Sequence, residues 1–101
     1  MANFVKVCKT TDVKEGSGKS VEINGKAIAV FNVGGKFYAI NDVCGHRGGP
    51  LSEGELDGNT VICPWHGWRY DVTSGANELV PDLPTEKYEV KVEGEDVLVG
   101  L

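Results

Sequence analysis

Cys44-Gly45-His46 and Cys63-Pro64-Trp65-His66-Gly67 are the two stretches on which the reading of this chain turns. The sequence has only two histidines and three cysteines, and each histidine stands beside one cysteine in one of these stretches. Sixteen residues, 47–62, separate His46 from Cys63. Duplicated Cys-His pairs point to one centre built from both, and the surrounding sequence defines the scaffold that must bring them together.

That scaffold is small. A chain of 101 residues fits one domain, burying something like 60–65 % of its unfolded surface. The longest uninterrupted apolar run, Ala27-Ile28-Ala29-Val30-Phe31, is far short of the roughly 20 residues of a membrane-spanning helix. The first residues carry no basic-then-apolar leader, so a soluble, cytoplasmic protein is expected. A formal charge of −5 argues against nucleic acid and anionic membrane surfaces as partners, since both are bound by clustered Lys and Arg. Three cysteines cannot all pair, and their spacing favours metal ligation over a secreted disulfide framework.

Outward from the Cys-His stretches the pattern is that of short strands. Val5 and Val7, Val21 and Ile23, and Tyr88, Val90 and Val92 alternate with polar residues, the period-two signature of half-buried strands. Turn signals at Asn24-Gly25, Gly34-Gly35 and Gly94 predict antiparallel hairpins. A single helical turn is expected at Thr11–Glu15. From about Val43 to Asp71, Gly, Pro and the Cys-His pairs crowd around one expected strand at Asn59–Ile62. The expectation is an all-β fold, a small antiparallel sandwich or barrel. An inserted two-loop unit at about 43–71 stands on a base of about 1–42 and 72–101, the whole being one domain.

Two Cys and two His admit three chemistries. A structural zinc site uses all four, but zinc fingers pair Cys with Cys and His with His at short spacing, whereas here each Cys is paired with a His. A cysteine nucleophile with a histidine base needs only one pair. A [2Fe-2S] cluster held by two cysteines on one iron and two histidines on the other needs one ligand of each kind from each loop, as Cys-x-His and Cys-x-x-His supply.

The longer pattern, Cys44-Gly45-His46-Arg47-Gly48-Gly49-Pro50-Leu51 followed by Cys63-Pro64-Trp65-His66-Gly67-Trp68, resembles the Rieske [2Fe-2S] signature. The resemblance extends to Gly34–Asn41, Trp68–Gly75 and Val80–Val99, with Pro81 and Pro84 in place of the proline-bearing third loop. It implies that Cys44 and Cys63 bind an inner iron as thiolates and His46 and His66 an outer iron as neutral imidazoles. Gly45, Arg47, Pro64, Trp65, Gly67, Trp68, Tyr70 and Pro81 then form the cluster's surroundings.

Two thiolates leave the oxidised centre formally neutral, so an electron enters more easily than in a four-thiolate cluster. Membrane-anchored Rieske proteins carry a disulfide between the loops and a serine after the second His-Gly; here those positions are Gly49, Trp65 and Trp68. Without these supports the potential is expected toward the low end of roughly −150 to +300 mV, with Tyr70 raising it partway. Ring-hydroxylating oxygenases join such a domain to a mononuclear iron held by two His and a carboxylate, for which no histidines remain.

The resemblance therefore implies a Rieske-type ferredoxin, a one-electron carrier without a substrate site of its own, passing electrons from a reductase to an oxygenase component. The alternatives are a fixed small subunit of an enzyme such as assimilatory nitrite reductase, and a structural zinc module. Cys8 is expected to be a packing or surface residue without function, and Glu53, Glu55 and Asp57 a solvated turn.

Overall fold

The computed structural model describes residues 4–23, 25–42, 50–64, 68–78 and 85–100. Among these residues nine strands run β1 Phe4–Lys9, β2 Ser17–Ile23, β3 Lys26–Val33, β4 Lys36–Asn41, β5 Glu55–Asp57, β6 Thr60–Ile62, β7 Arg69–Asp71, β8 Lys87–Glu93 and β9 Asp96–Gly100. Two short 3-10 turns, at Thr10–Asp12 and Leu51–Glu53, are the helical elements among the described residues. The first lies one residue before the start of the expected turn at Thr11.

Six strands form one antiparallel sheet in the order β1-β9-β8-β4-β3-β2, and β5-β6-β7 form a second. The expected all-β antiparallel architecture is what the chain adopts. Hairpins join β2 to β3, β3 to β4 and β8 to β9. Gly34 and Gly35, at φ 60° and 90°, make the β3–β4 turn in a backbone region where a side chain is strained.

β3 explains the apolar run. Ile28 and Val30 point into a buried cluster with Cys8 of β1, Val13 just after the first 3-10 turn, Ala39 of β4, Tyr88 of β8, and Val97 and Val99 of β9. Ala29 and Phe31, one residue out of phase, enter a second cluster with Ile40, Leu51, Val61, Cys63, Tyr70 and Val72. A strand buried on both faces needs apolar residues at consecutive positions, and this one therefore joins the base to the small sheet.

β1 departs from simple alternation. Its register with β9 shifts between Lys6 and Cys8, a bulge that leaves Val5 and Val7 half-buried and turns Cys8 into the core at 6 % exposure. Burial, and next the charge of Asp12, raise the Cys8 thiol pKa above its ordinary value. Cys8 is thus a packing residue. No helix among the described residues is long and apolar enough to cross a membrane.

Candidate metal centre

The small sheet is a support for the second Cys-His stretch. β6 and β7 pair as Thr60–Asp71, Val61–Tyr70 and Ile62–Arg69. One step further, the Cys63 amide donates to the Trp68 carbonyl at 2.7 Å. The hairpin therefore closes at Cys63 and Trp68. Paired positions share a face, so Val61, Cys63, Trp68 and Tyr70 all face the base. Cys63 is 2 % exposed and Tyr70 fully buried in the same cluster, while Trp68 packs half-buried against it and Pro64 is exposed.

The opposite face of the sheet is polar. Arg69 lies between Asp57, at 3.1 Å, and Glu78, at 3.8 Å, and Glu78 also accepts a hydrogen bond from the Thr60 hydroxyl. Glu53, Glu55 and Asp57 are exposed, as expected of solvated residues, but Glu53 ends the second 3-10 turn and Glu55 and Asp57 lie in β5, where the sequence reading expected a turn. Exposed pairs of this kind contribute about 0–1 kcal/mol each.

The first Cys-His stretch is framed by its two flanks. Leaving β4, Asp42 donates its amide to the Ala27 carbonyl at 3.0 Å. Its own carbonyl accepts the Leu51 amide at 2.7 Å, and its buried carboxylate accepts the Ser52 amide at 2.7 Å. Cys44, Gly45, His46, Arg47 and Gly49 lie between these flanks but outside the described residues, as do Trp65, His66, Gly67, Pro81 and Pro84, and Asn24 of the β2–β3 turn. Of the four ligands expected from the sequence, the structure thus describes Cys63.

What is described fits an iron-sulfur ligand. A cysteine at the end of a strand, with its amide already hydrogen-bonded and its side chain withdrawn from water, presents a soft sulfur at the edge of a dry cluster. Thiolate and imidazole are the donors that a Cys-His iron-sulfur centre takes. β5, three residues long, escaped the sequence reading, as did the Asp42 contacts that join positions ten residues apart, whereas β7 falls within the Trp68–Gly75 stretch that the resemblance marked.

Comparison with known proteins agrees with this fold. The family "Rieske [2Fe-2S] domain" matches residues 3–99, and the chain belongs to that family, whose cofactor is a [2Fe-2S] cluster. The chain is 41 % identical over 101 residues to the 3-phenylpropionate/cinnamic acid dioxygenase ferredoxin subunit of Escherichia coli (strain K12), covering 98 % of this chain and 94 % of that one. Among solved structures, it superposes on a chain of the complex of reduced oxygenase and oxidized ferredoxin in carbazole 1,9a-dioxygenase. There the TM-score is 0.86 at 37 % identity, covering 94 % of this chain and 99 % of that one. The putative NADH-dependent nitrite reductase small subunit from Mycobacterium tuberculosis gives a TM-score of 0.93 at 19 % identity, over 100 % of this chain and 96 % of that one, a likeness of fold alone.

Proposed function

We propose that this protein is a soluble, cytoplasmic one-electron carrier, a Rieske-type ferredoxin that takes electrons from a reductase and delivers them to the terminal component of an oxygenase. The observation that carries this reading is the match, at 41 % identity across 98 % of this chain and 94 % of the other, to a dioxygenase ferredoxin subunit. A second supporting observation is the 37 % identity to a chain from an oxygenase–ferredoxin complex.

Cys44 and Cys63 are the proposed ligands of one iron, and His46 and His66 of the other. When bound, the [2Fe-2S] cluster would supply a one-electron couple. The protein's part is to hold the donors, exclude water and present the redox centre to partners. Residues about 43–71 act as the cluster-carrying unit and the remainder as its base. The β6–β7 hairpin fixes Cys63 by the Trp68 contact, and its apolar face keeps water from the sulfur. Trp65, Trp68 and Pro81 shield the centre, with Gly45, Arg47, Pro64 and Gly67 shaping the turns around it. Tyr70, fully buried in the cluster that contains Cys63, helps keep this side dry.

This carrier has no substrate site of its own, so the chemistry of the final acceptor belongs to the acceptor. The competing reading, a fixed subunit such as that of assimilatory nitrite reductase, draws on a likeness that at 19 % identity speaks for fold alone. The test is a reconstituted chain of NADH, an oxygenase-system reductase, this protein and a Rieske oxygenase, followed by stopped-flow absorbance. A carrier is reduced by the first, reoxidised by the second, and needed in catalytic amounts, with rates that depend on salt. Copurification in a stable stoichiometric enzyme, with no exchange to an added oxygenase, contradicts the proposal.

A further inference from the structure

We infer that Asp42 is a positioning residue for the metal centre, acting as a clasp that closes the first Cys-His stretch and ties it to the second. The inference rests on the four-ligand reading above and goes beyond it, because Asp42 is not a ligand. Asp42 is only 6 % exposed, and a carboxylate is rarely buried to this degree without a partner that repays its lost hydration. Its partner is a backbone amide. Oδ1 accepts the Ser52 N–H at 2.7 Å, beside the 2.7 Å bond from the Leu51 N–H to the Asp42 carbonyl. These two bonds join the residues that flank the span 43–49, in which Cys44 and His46 stand in the sequence. The Asp42 N–H, bonded to Ala27, anchors the closure to β3.

The far side of the clasp is seated as firmly. Leu51 is fully buried in the cluster that contains Cys63. The Ser52 carbonyl lies so close to β2 that a Cβ at Gly18 would stand 2.8 Å from it. A Cβ at Gly54 would stand 2.2 Å from the carbonyl of Ile62, the residue before Cys63. Residues 51–54 therefore run from the Asp42 clasp to the backbone that carries Cys63, with room only for glycine at both close approaches. A shift at Asp42 is passed to the spacing between the two ligand-bearing stretches. A centre bridging both stretches depends on that spacing to retain its metal and to keep its geometry through a redox cycle.

The experiment compares the cluster-loaded wild type, Asp42→Ala and Asp42→Asn. It measures bleaching of the visible absorbance under a fixed concentration of chelator and the linewidth of the reduced-state EPR spectrum. Asparagine keeps an oxygen acceptor for the Ser52 amide, whereas alanine leaves that buried amide unpaired. Asp42→Ala is expected to bleach roughly tenfold faster than wild type, the size of effect a buried amide left without an acceptor produces, with broadened EPR lines. Asp42→Asn is expected within about twofold of wild type.

If Asp42→Ala does not accumulate as folded protein, Ser52→Pro, which deletes the donor N–H and leaves Asp42 in place, carries the same expectation as the alanine variant. An alanine or proline variant that bleaches like wild type with unchanged EPR lines overturns the inference. So does an asparagine variant as fragile as alanine, since a charge and not a clasp would then be at work. A wild type without a Rieske spectrum overturns the underlying four-ligand reading as well, so the two failures are distinguishable.

Discussion

Trp68→Ser should raise the reduction potential while lowering stability. Trp68 faces Cys63 across the closed end of the β6–β7 hairpin, on the face shared with Tyr70. The closing bond runs from backbone to backbone and survives the substitution, so the new hydroxyl appears on the Cys63 side, where membrane-anchored Rieske proteins carry a serine. A hydrogen bond to a cluster sulfur strengthens as negative charge builds up on reduction. A differential of about 1 kcal/mol, modest for a bond to a charged acceptor, raises a one-electron potential by roughly 40 mV.

Losing the half-buried indole works on stability in the other direction. Full truncation of a core Trp costs about 3–5 kcal/mol; half of that, about 2 kcal/mol, lowers the melting temperature of a domain this small by roughly 10 °C. The opened space also admits water, which raises the potential by solvating the added charge. Trp68→Ala isolates that contribution. Protein-film voltammetry on wild type and the two variants is the assay, with the order Ser above Ala above wild type expected. A serine variant no higher than alanine refutes the hydroxyl argument and leaves the expected low potential to rest on the missing disulfide at Gly49 and Trp65.

Cys44→Ser and Cys63→Ser should each abolish the visible spectrum, because a hard alkoxide is a poor replacement for thiolate on iron, while Cys8→Ser keeps it; colour lost only in the Cys8 variant would overturn the ligand assignment. Cys8 also predicts an alkaline limb of stability. Its folded pKa is raised above the ordinary value of 9.0, so the folded state retains the proton longer and the thiol's contribution, complete below pH 9, is lost as pH rises through the folded value. Denaturation midpoints between pH 7 and 10 should therefore fall more steeply in wild type than in Cys8→Ala; Tyr88, also raised by burial and by Glu86, acts in both proteins and cancels. Equal slopes would place the Cys8 thiol in a wetter setting than the core it occupies.

The strands that write themselves plainly in the sequence are those with one wet face. β2 and β8 alternate, and the turn glycines mark where hairpins reverse. β3 reads as a bare apolar run, because burial on both faces erases the period that distinguishes strand from helix. β5 and β7 show no period for a different reason: Glu55-Leu56-Asp57 and Arg69-Tyr70-Asp71 each offer one inward residue, too few to display one, so β7 was reached only through the resemblance of Trp68–Gly75 and β5 not at all.

The pairings of β1 with β9 and of β4 with β8 join distant segments that local patterning does not connect. At the centre, a candidate ligand set could be named because metal chemistry restricts both residue type and spacing, and of that set Cys63 is described, buried just after β6. The Asp42 clasp was not, since an aspartate beside a turn looks the same whether its carboxylate meets water or the Ser52 amide.

The central claim is that two histidines and two cysteines share one redox centre, and pulsed EPR of the reduced protein tests it most directly. The account predicts a [2Fe-2S] signal with hyperfine coupling to two nitrogens, one lost in each of His46→Cys and His66→Cys. A colourless, EPR-silent protein that binds zinc, or a reduced cluster with no coupled nitrogen, would contradict it.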